Sequence, residues 1–488
     1  MIFNSLTFFV FLAIVIPLYW QLPRQPRLLL ILGAGVVFYG FWRFDFLLLL
    51  FASITFDYFS GIIIADATSE RKRRLFLTLS VAINLSVLVF FKYFYFLADS
   101  FAGLGSLLGV EVHRPTWNII LPIGVSFYTF HAMSYIIDVY RGHIKPVRSY
   151  ILFCNYVIFF PQLVAGPILR AGEMLWQLDK RPDFAWADIA EGLMRIAAGL
   201  FLKVVIADNL AGYVNDAYAT DPTKLFALDT LTLGFVFGFQ IYFDFSGYSH
   251  IAIGVALLMG IRFPENFHFP YLSVSPRIFW RRWHISLSSW IRDYVYLPMA
   301  GVKVADRMST GGIGIDGTGQ IGRNSAMFAL FTTWAIMGLW HGAAWTFVLW
   351  GLWHAALVQG HRLIAPRLAA FQGRALAVIG WAVTLALVMI GWIPFRAPSL
   401  DYTFTVWSHL FDVAHITSRG LRESTYVVAA LMLADGGSTF CRPRARRCTQ
   451  PLAGRQHAGA ADRLECHAHA DHRLSAADQP VHLFPVLT

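Results

Sequence analysis

Apolar residues fall in long blocks along this chain, and polar residues are largely confined to short gaps between them. Blocks of that kind lie near 2–20, 28–42, 44–65, 75–97, 117–137 and 150–166, and again near 193–208, 225–245, 246–262, 326–340, 343–362 and 375–396. Shorter ones follow near 400–411 and 425–434. A spanning helix needs roughly 20 mainly apolar residues. The pattern therefore predicts an all-α polytopic membrane protein with about a dozen embedded segments, some of them re-entrant.

Composition sharpens this. Of 488 residues, 57% are hydrophobic and 14% charged, against about 25% charged in ordinary soluble domains. A soluble fold has no way to hide that much apolar surface. The net charge of +10 could suggest nucleic acid, but the basic residues sit in short loops, as orientation signals do. Arg24 and Arg27 follow the first block; Arg71, Lys72, Arg73 and Arg74 follow the third; Arg141, Lys145 and Arg148 follow the fifth. Loops between these hold little beyond Arg43 and Arg114. The alternation predicts an outside N-terminus and cytoplasmic basic loops. Met1 to Ser5 lacks a basic leader region, so no cleaved signal is expected. Four cysteines make no disulfide framework.

Beyond about residue 160 the regularity loosens. Pro161, Gly166 and Pro167 interrupt one block, and broken backbone is tolerated only where protein or a water-filled cavity covers it. The stretch 262–300 is polar, aromatic and basic between apolar flanks, and reads as a funnel or re-entrant region. A Gly-rich segment at 311–319 reads as a loop. From Gly436 the composition changes: 436–488 holds seven Arg, no Lys, five His and three of the four Cys. A metal-binding tail on Cys466, His467, His469 and His472 is one reading. Out-of-frame translation is the other, and it is the expectation here. Codons for 481–488 can be chosen that, read one base on, spell Phe-Ile-Tyr-Phe-Gln-Phe and a stop. The expected division is 1–435 membrane domain and 436–488 aberrant tail.

Ionisable residues inside membrane segments are costly and are functional candidates by default. His341 stands where two apolar blocks meet, in Trp340-His341-Gly342. A neutral imidazole can take a proton from a hydroxyl that attacks an acyl carbonyl, and Gly342 would admit a substrate or a second helix. An interhelical hydrogen bond is the plainer role. His284 lies in Phe279-Trp280-Arg281-Arg282-Trp283-His284. If that stretch is helical, Arg281 and His284 share a face. Clustered Arg could hold phosphates or an oxyanion, or merely anchor the chain at the interface. Asp244, in Tyr242-Phe243-Asp244-Phe245-Ser246-Gly247, could orient a histidine or a hydroxyl, or bond a neighbouring helix. Asp138, Asn266, His131, His250 and His354 carry weaker signals. No G-x-S-x-G, Walker, H-E-x-x-H or C-x-x-C pattern occurs. Gly312-Ile313-Gly314-Ile315-Asp316-Gly317 matches G-x-G-x-x-G, but follows no strand.

Ser126-Phe127-Tyr128-Thr129-Phe130, Asp138-Val139-Tyr140-Arg141-Gly142, Phe160-Pro161-Gln162 through Gly166-Pro167, Tyr242 to Tyr248, Asn266-Phe267, Arg281 to Tyr296 and Trp340-His341-Gly342 occur in that order. In these blocks the chain resembles the membrane-bound O-acyltransferases, and among them the bacterial branch of alginate O-acetylation. The likeness spans roughly residues 1–430. It implies a ring of about 11–12 transmembrane or re-entrant helices around a central tunnel. It also implies His341 as the invariant catalytic histidine and His284 as the second. Arg281, Arg282, Trp283, Asp244, Asn266 and Trp340 are the residues expected to bind substrate or donor, with no metal. No cofactor is expected to be permanently bound; acetyl-CoA or another acyl thioester is the expected donor. Membrane lipids, a polysaccharide acceptor and periplasmic O-acetylation proteins are the expected partners, in a bacterial inner membrane with the N-terminus periplasmic. One departure is that Met299-Ala300-Gly301 leads into the Gly-rich stretch, where relatives turn quickly into the next helix. A transporter or flippase for a lipid-linked sugar, a noncatalytic scaffold, and D-alanyl or peptidoglycan O-acyl transfer are the alternatives.

Overall fold

A computed structural model describes residues 1–441 except 112–114, 164–165, 181, 302–322, 369–372, 413–414 and 416–417. The Gly-rich stretch at 311–319 and the tail beyond Cys441 therefore lie outside the described residues.

The described residues form helices and connecting turns, with no strand among them. Among the described residues, four helices are long and apolar enough to cross a membrane: Phe46–Asp66, Glu70–Leu107, Ala227–Leu258 and Arg374–Arg396. In the second, only 17% of the apolar window is buried. Leu75, Leu79, Ile83, Leu97 and Phe101 point outward instead. A row of large apolar side chains facing out along one helix is a lipid-contact surface. The chain is an all-α polytopic membrane protein.

Several of the other expected segments are shorter, and the sequence shows why. The 117–137 block becomes a helix only from Val125, because Gly124 takes a left-handed conformation (φ 76°) behind Pro122. The 150–166 block ends as a helix at Ile158, before Pro161. The blocks at 225–245 and 246–262 are instead one helix, Ala227–Leu258; nothing between them breaks the backbone ladder. Serines set several starts. Ser149, Ser275 and Ser399 accept from the backbone N–H three residues on, at 3.3, 3.3 and 3.1 Å. Pro276, with its preset φ, follows Ser275 in the first helical turn.

Among the described residues, three stretches are π-helical: Val89–Tyr93, Phe201–Ala207 and Arg292–Tyr296. Each carries a charged residue inward or along a helix junction: Lys92, Lys203 and Asp293 respectively. Single wide turns of this kind are frequent at functional sites.

Two buried apolar clusters form the core. One joins the first helices to Tyr150–Ile158 and the end of Ala227–Leu258. The other is dense in tryptophan and holds Trp280, Trp283, Trp290, Trp334, Trp340, Trp350 and Trp392. The candidate chemistry lies in the second.

Candidate active site

Two helices present His341. Arg323–His341 ends on it, and Trp345–Leu368 begins four residues later and packs back against the first. The pair lies very close: a Cβ on Gly338 would meet the Phe347 carbonyl, and one on Gly351 the Trp334 carbonyl. Gly342 makes room for the Phe347 ring in the same way, so its small size serves helix packing. The His341 ring rests against Trp340, Trp350 and Phe395, with centroids 4.8, 5.0 and 5.2 Å away. His341 is half-buried. The chain wraps the ring in aromatic surface.

His284 reaches the same place from another direction. The chain breaks between the short helices Pro276–Arg282 and Ile285–Ile291, and His284 at the break is left-handed, with φ 43°. That conformation is uncommon outside glycine and costs about 1–3 kcal/mol. Bonds from the 266–268 segment hold it. Ile285 N–H donates to the Asn266 carbonyl (3.0 Å), and His268 N–H to the Arg282 carbonyl (2.9 Å). The helical spacing that would put Arg281 and His284 on one face is therefore not realised.

Asn266 is the centre of this arrangement. Its Oδ1 accepts from the Ser286 N–H (3.3 Å) and the Ser286 hydroxyl (2.9 Å), and its amide donates to Ser249 (3.2 Å). A backbone N–H can only donate, so the atom it meets is the amide oxygen. His284 Nδ1 lies 3.1 Å from that oxygen and so carries the hydrogen. The lone pair of neutral His284 is then on Nε2, a buried atom with no hydrogen-bond partner among the described residues. The His284 ring packs 4.6 Å from Phe245 and 6.3 Å from Trp340. Trp340 is thus the shared wall of both histidines.

The other expected residues divide. Asn266 and Trp340 join the two histidines. Asp244 does not: its carboxylate pairs with Lys203 at 2.6 Å, and Lys203 also holds Asp208 at 2.6 Å. Trp283 is buried among Tyr242, Phe267, Tyr271, Phe279 and Trp392. Arg281 is exposed, and Arg282 reaches back to the Leu272 carbonyl at 3.4 Å. Of the weaker candidates, His354 accepts from the Trp280 indole N–H at 3.3 Å within the tryptophan cluster. Asp138 accepts from the Tyr294 hydroxyl at 2.7 Å.

Lys92 was not among the sequence candidates. Its ammonium donates to the Trp340 carbonyl and lies 5.4 Å from the centre of the Trp340 ring. The signal was available, since Lys92 interrupts the 75–97 apolar block, and a charge within a membrane segment is the mark by which His341 was singled out.

Comparison with known proteins settles what kind of protein carries this site. A family model for the membrane-bound O-acyltransferases matches residues 140–313. The probable alginate O-acetylase of Azotobacter vinelandii is 39% identical, over 89% of this chain and 83% of the relative. The chain belongs to the membrane-bound O-acyltransferase family. A Helicobacter pylori peptidoglycan O-acetyltransferase is 33% identical over 83% of this chain and 79% of its own length. A Bacillus subtilis teichoic acid D-alanyltransferase is 30% identical over 51% of this chain and 60% of its own. This O-acyltransferase thus has relatives that modify different cell-surface polymers.

Proposed function

We propose that this O-acyltransferase takes an acetyl group from a cytoplasmic thioester, acetyl-CoA or a similar acyl thioester, and delivers it across the membrane to hydroxyls of an exported polysaccharide, directly or through a periplasmic partner protein. The observation that carries the reading is the convergence of His341 and His284 on Trp340. The extent of likeness to the alginate O-acetylase and peptidoglycan O-acetyltransferase relatives, against half of the chain for the D-alanyltransferase, supports acetyl as the group moved. The acceptor then resembles alginate or another cell-surface polymer. The basic loops at 71–74 and 141–148 support an inner-membrane protein with its N-terminus periplasmic.

In this reading a hydroxyl oxygen attacks the thioester carbonyl carbon while a ring nitrogen of His341 takes its proton. The new C–O bond forms, the C–S bond breaks, and the thiolate leaves with the proton from the imidazolium. Such assistance is worth about 10²–10⁴-fold. The unprotonated Nε2 of His284 offers a second acceptor beside the reacting hydroxyl. The aromatic walls limit water and protect the thioester from hydrolysis.

The test uses sealed membrane vesicles carrying the full chain. Labelled acetyl thioester is supplied on the cytoplasmic face, and polymer is recovered from the other. Label in alkali-labile esters on the polymer supports the reading. Label that appears only when thioester is supplied on the polymer's own side overturns it.

A further inference from the structure

The end of the His341 helix is held by two consecutive side chains from a different helix. The last carbonyls of any helix lack intrahelical partners. Here the Tyr93 hydroxyl donates to the Leu339 carbonyl at 2.8 Å, and the Lys92 ammonium donates to the Trp340 carbonyl. The π turn Val89–Tyr93 sets both side chains toward this one helix end. Lys92 also reaches the Ser126 hydroxyl at 3.5 Å, at the start of Val125–Tyr140, and lies over the Trp340 face. Three helices thus meet at one ammonium, one peptide bond away from His341.

Capping alone does not need a charge, because Tyr93 does the neighbouring carbonyl with a neutral hydroxyl. Lys92 lies inside the candidate span Glu70–Leu107, where a charge is costly to keep. Among the described residues no carboxylate pairs with it. A cation at a helix C-terminus is favourable, but the same helix end is where charge changes during acyl transfer. We infer that Lys92 is a positioning residue of the transfer reaction, holding the last turn of the His341 helix in register and setting a fixed positive charge beside the reacting centre. The inference rests on the acyl-transfer reading above. As the hydroxyl adds, the carbonyl oxygen becomes negative, and a preorganised cation in an apolar setting favours that oxyanion without reorganising. The same charge disfavours a lingering imidazolium, so the proton passes on to the departing thiolate.

Three variants of the full chain test this: Lys92→Met, Lys92→Arg and Tyr93→Phe, with transfer rate, thioester KM and thermal midpoint measured for each. Lys92→Met is expected to lower kcat by about 10²-fold, the scale of losing one preorganised charge, with KM little changed. Lys92→Arg is expected to recover most of that rate, and Tyr93→Phe to lose far less than Lys92→Met at a similar loss of midpoint. Wild-type kcat in Lys92→Met overturns the inference. So does a loss that follows the thermal midpoint equally in Lys92→Met and Tyr93→Phe with no recovery in Lys92→Arg. A wild-type chain that transfers nothing overturns the acyl-transfer reading itself, so the two failures are distinct.

Discussion

Asn266 Oδ1 and His284 Nδ1 lie 3.1 Å apart, and the Ser286 N–H on the same oxygen fixes that contact as imidazole donating to amide. The tautomer of His284 follows from that bond. So does its orientation, since the left-handed backbone at residue 284 is stable only while the 266–268 segment holds it.

Asn266→Ala should therefore damage activity through His284. It removes the acceptor that keeps the proton on Nδ1 and leaves buried donors unpaired, at about 1–3 kcal/mol. We expect kcat to fall by about 10–100-fold, with thioester KM changing less. Transfer kinetics on purified variant check this; a rate equal to wild type would remove Asn266 from the site.

Gly342→Ala should fail for a steric reason. The added methyl runs into the Phe347 ring, so the turn after His341 must open. Folded yield and transfer rate are expected to drop together. Phe347→Leu in the same chain should restore both in part, because it removes the colliding ring edge. No recovery in the double variant would mean that Gly342 has a role besides packing.

Asp293 tests structure apart from chemistry. Its buried carboxylate pairs with Arg170 and also meets Arg292 at 2.8 Å. Removing one member of a buried pair typically costs about 3–5 kcal/mol, so Asp293→Ala should lower the thermal midpoint sharply. The exposed pair Arg148–Asp66 should matter far less, because water screens it, so Arg148→Ala should leave the midpoint nearly unchanged. Paired thermal scans in detergent separate the two; equal losses would contradict the burial argument.

Apolar block length gave the membrane class and most segment positions, because lipid demands long runs whatever the packing. Boundaries failed where one residue overrides the run, as Gly124 and Pro161 do. Two expected spans fused in Ala227–Leu258 since apolar content alone does not mark an end. His341 stood out because a titratable group between apolar runs is expensive, and His284 because of the Arg-Arg-Trp-His block that carries it. Asp244 pairs with Lys203, which lies on another helix segment, and nothing local in the sequence announces that pair. Arg281 was placed by helical spacing that a left-handed His284 cancels. Asn266 drew only a weak signal, for its importance comes from three contacts with His284 and Ser286 that exist only once the 266–268 segment lies along residues 282–286.

The account stands on His341 as the proton acceptor, and one substitution addresses it directly. His341→Ala in the full chain should still fold, since neither ring nitrogen bonds another described residue, with some loss of midpoint from the contacts its ring makes with Trp340, Trp350 and Phe395. The measurement is labelled acetyl moved from thioester to polymer in sealed vesicles, with the thermal midpoint recorded alongside. A loss of about 10²-fold or more at a temperature where the variant is still folded is the predicted result. Acetyl transfer at the wild-type rate would contradict it.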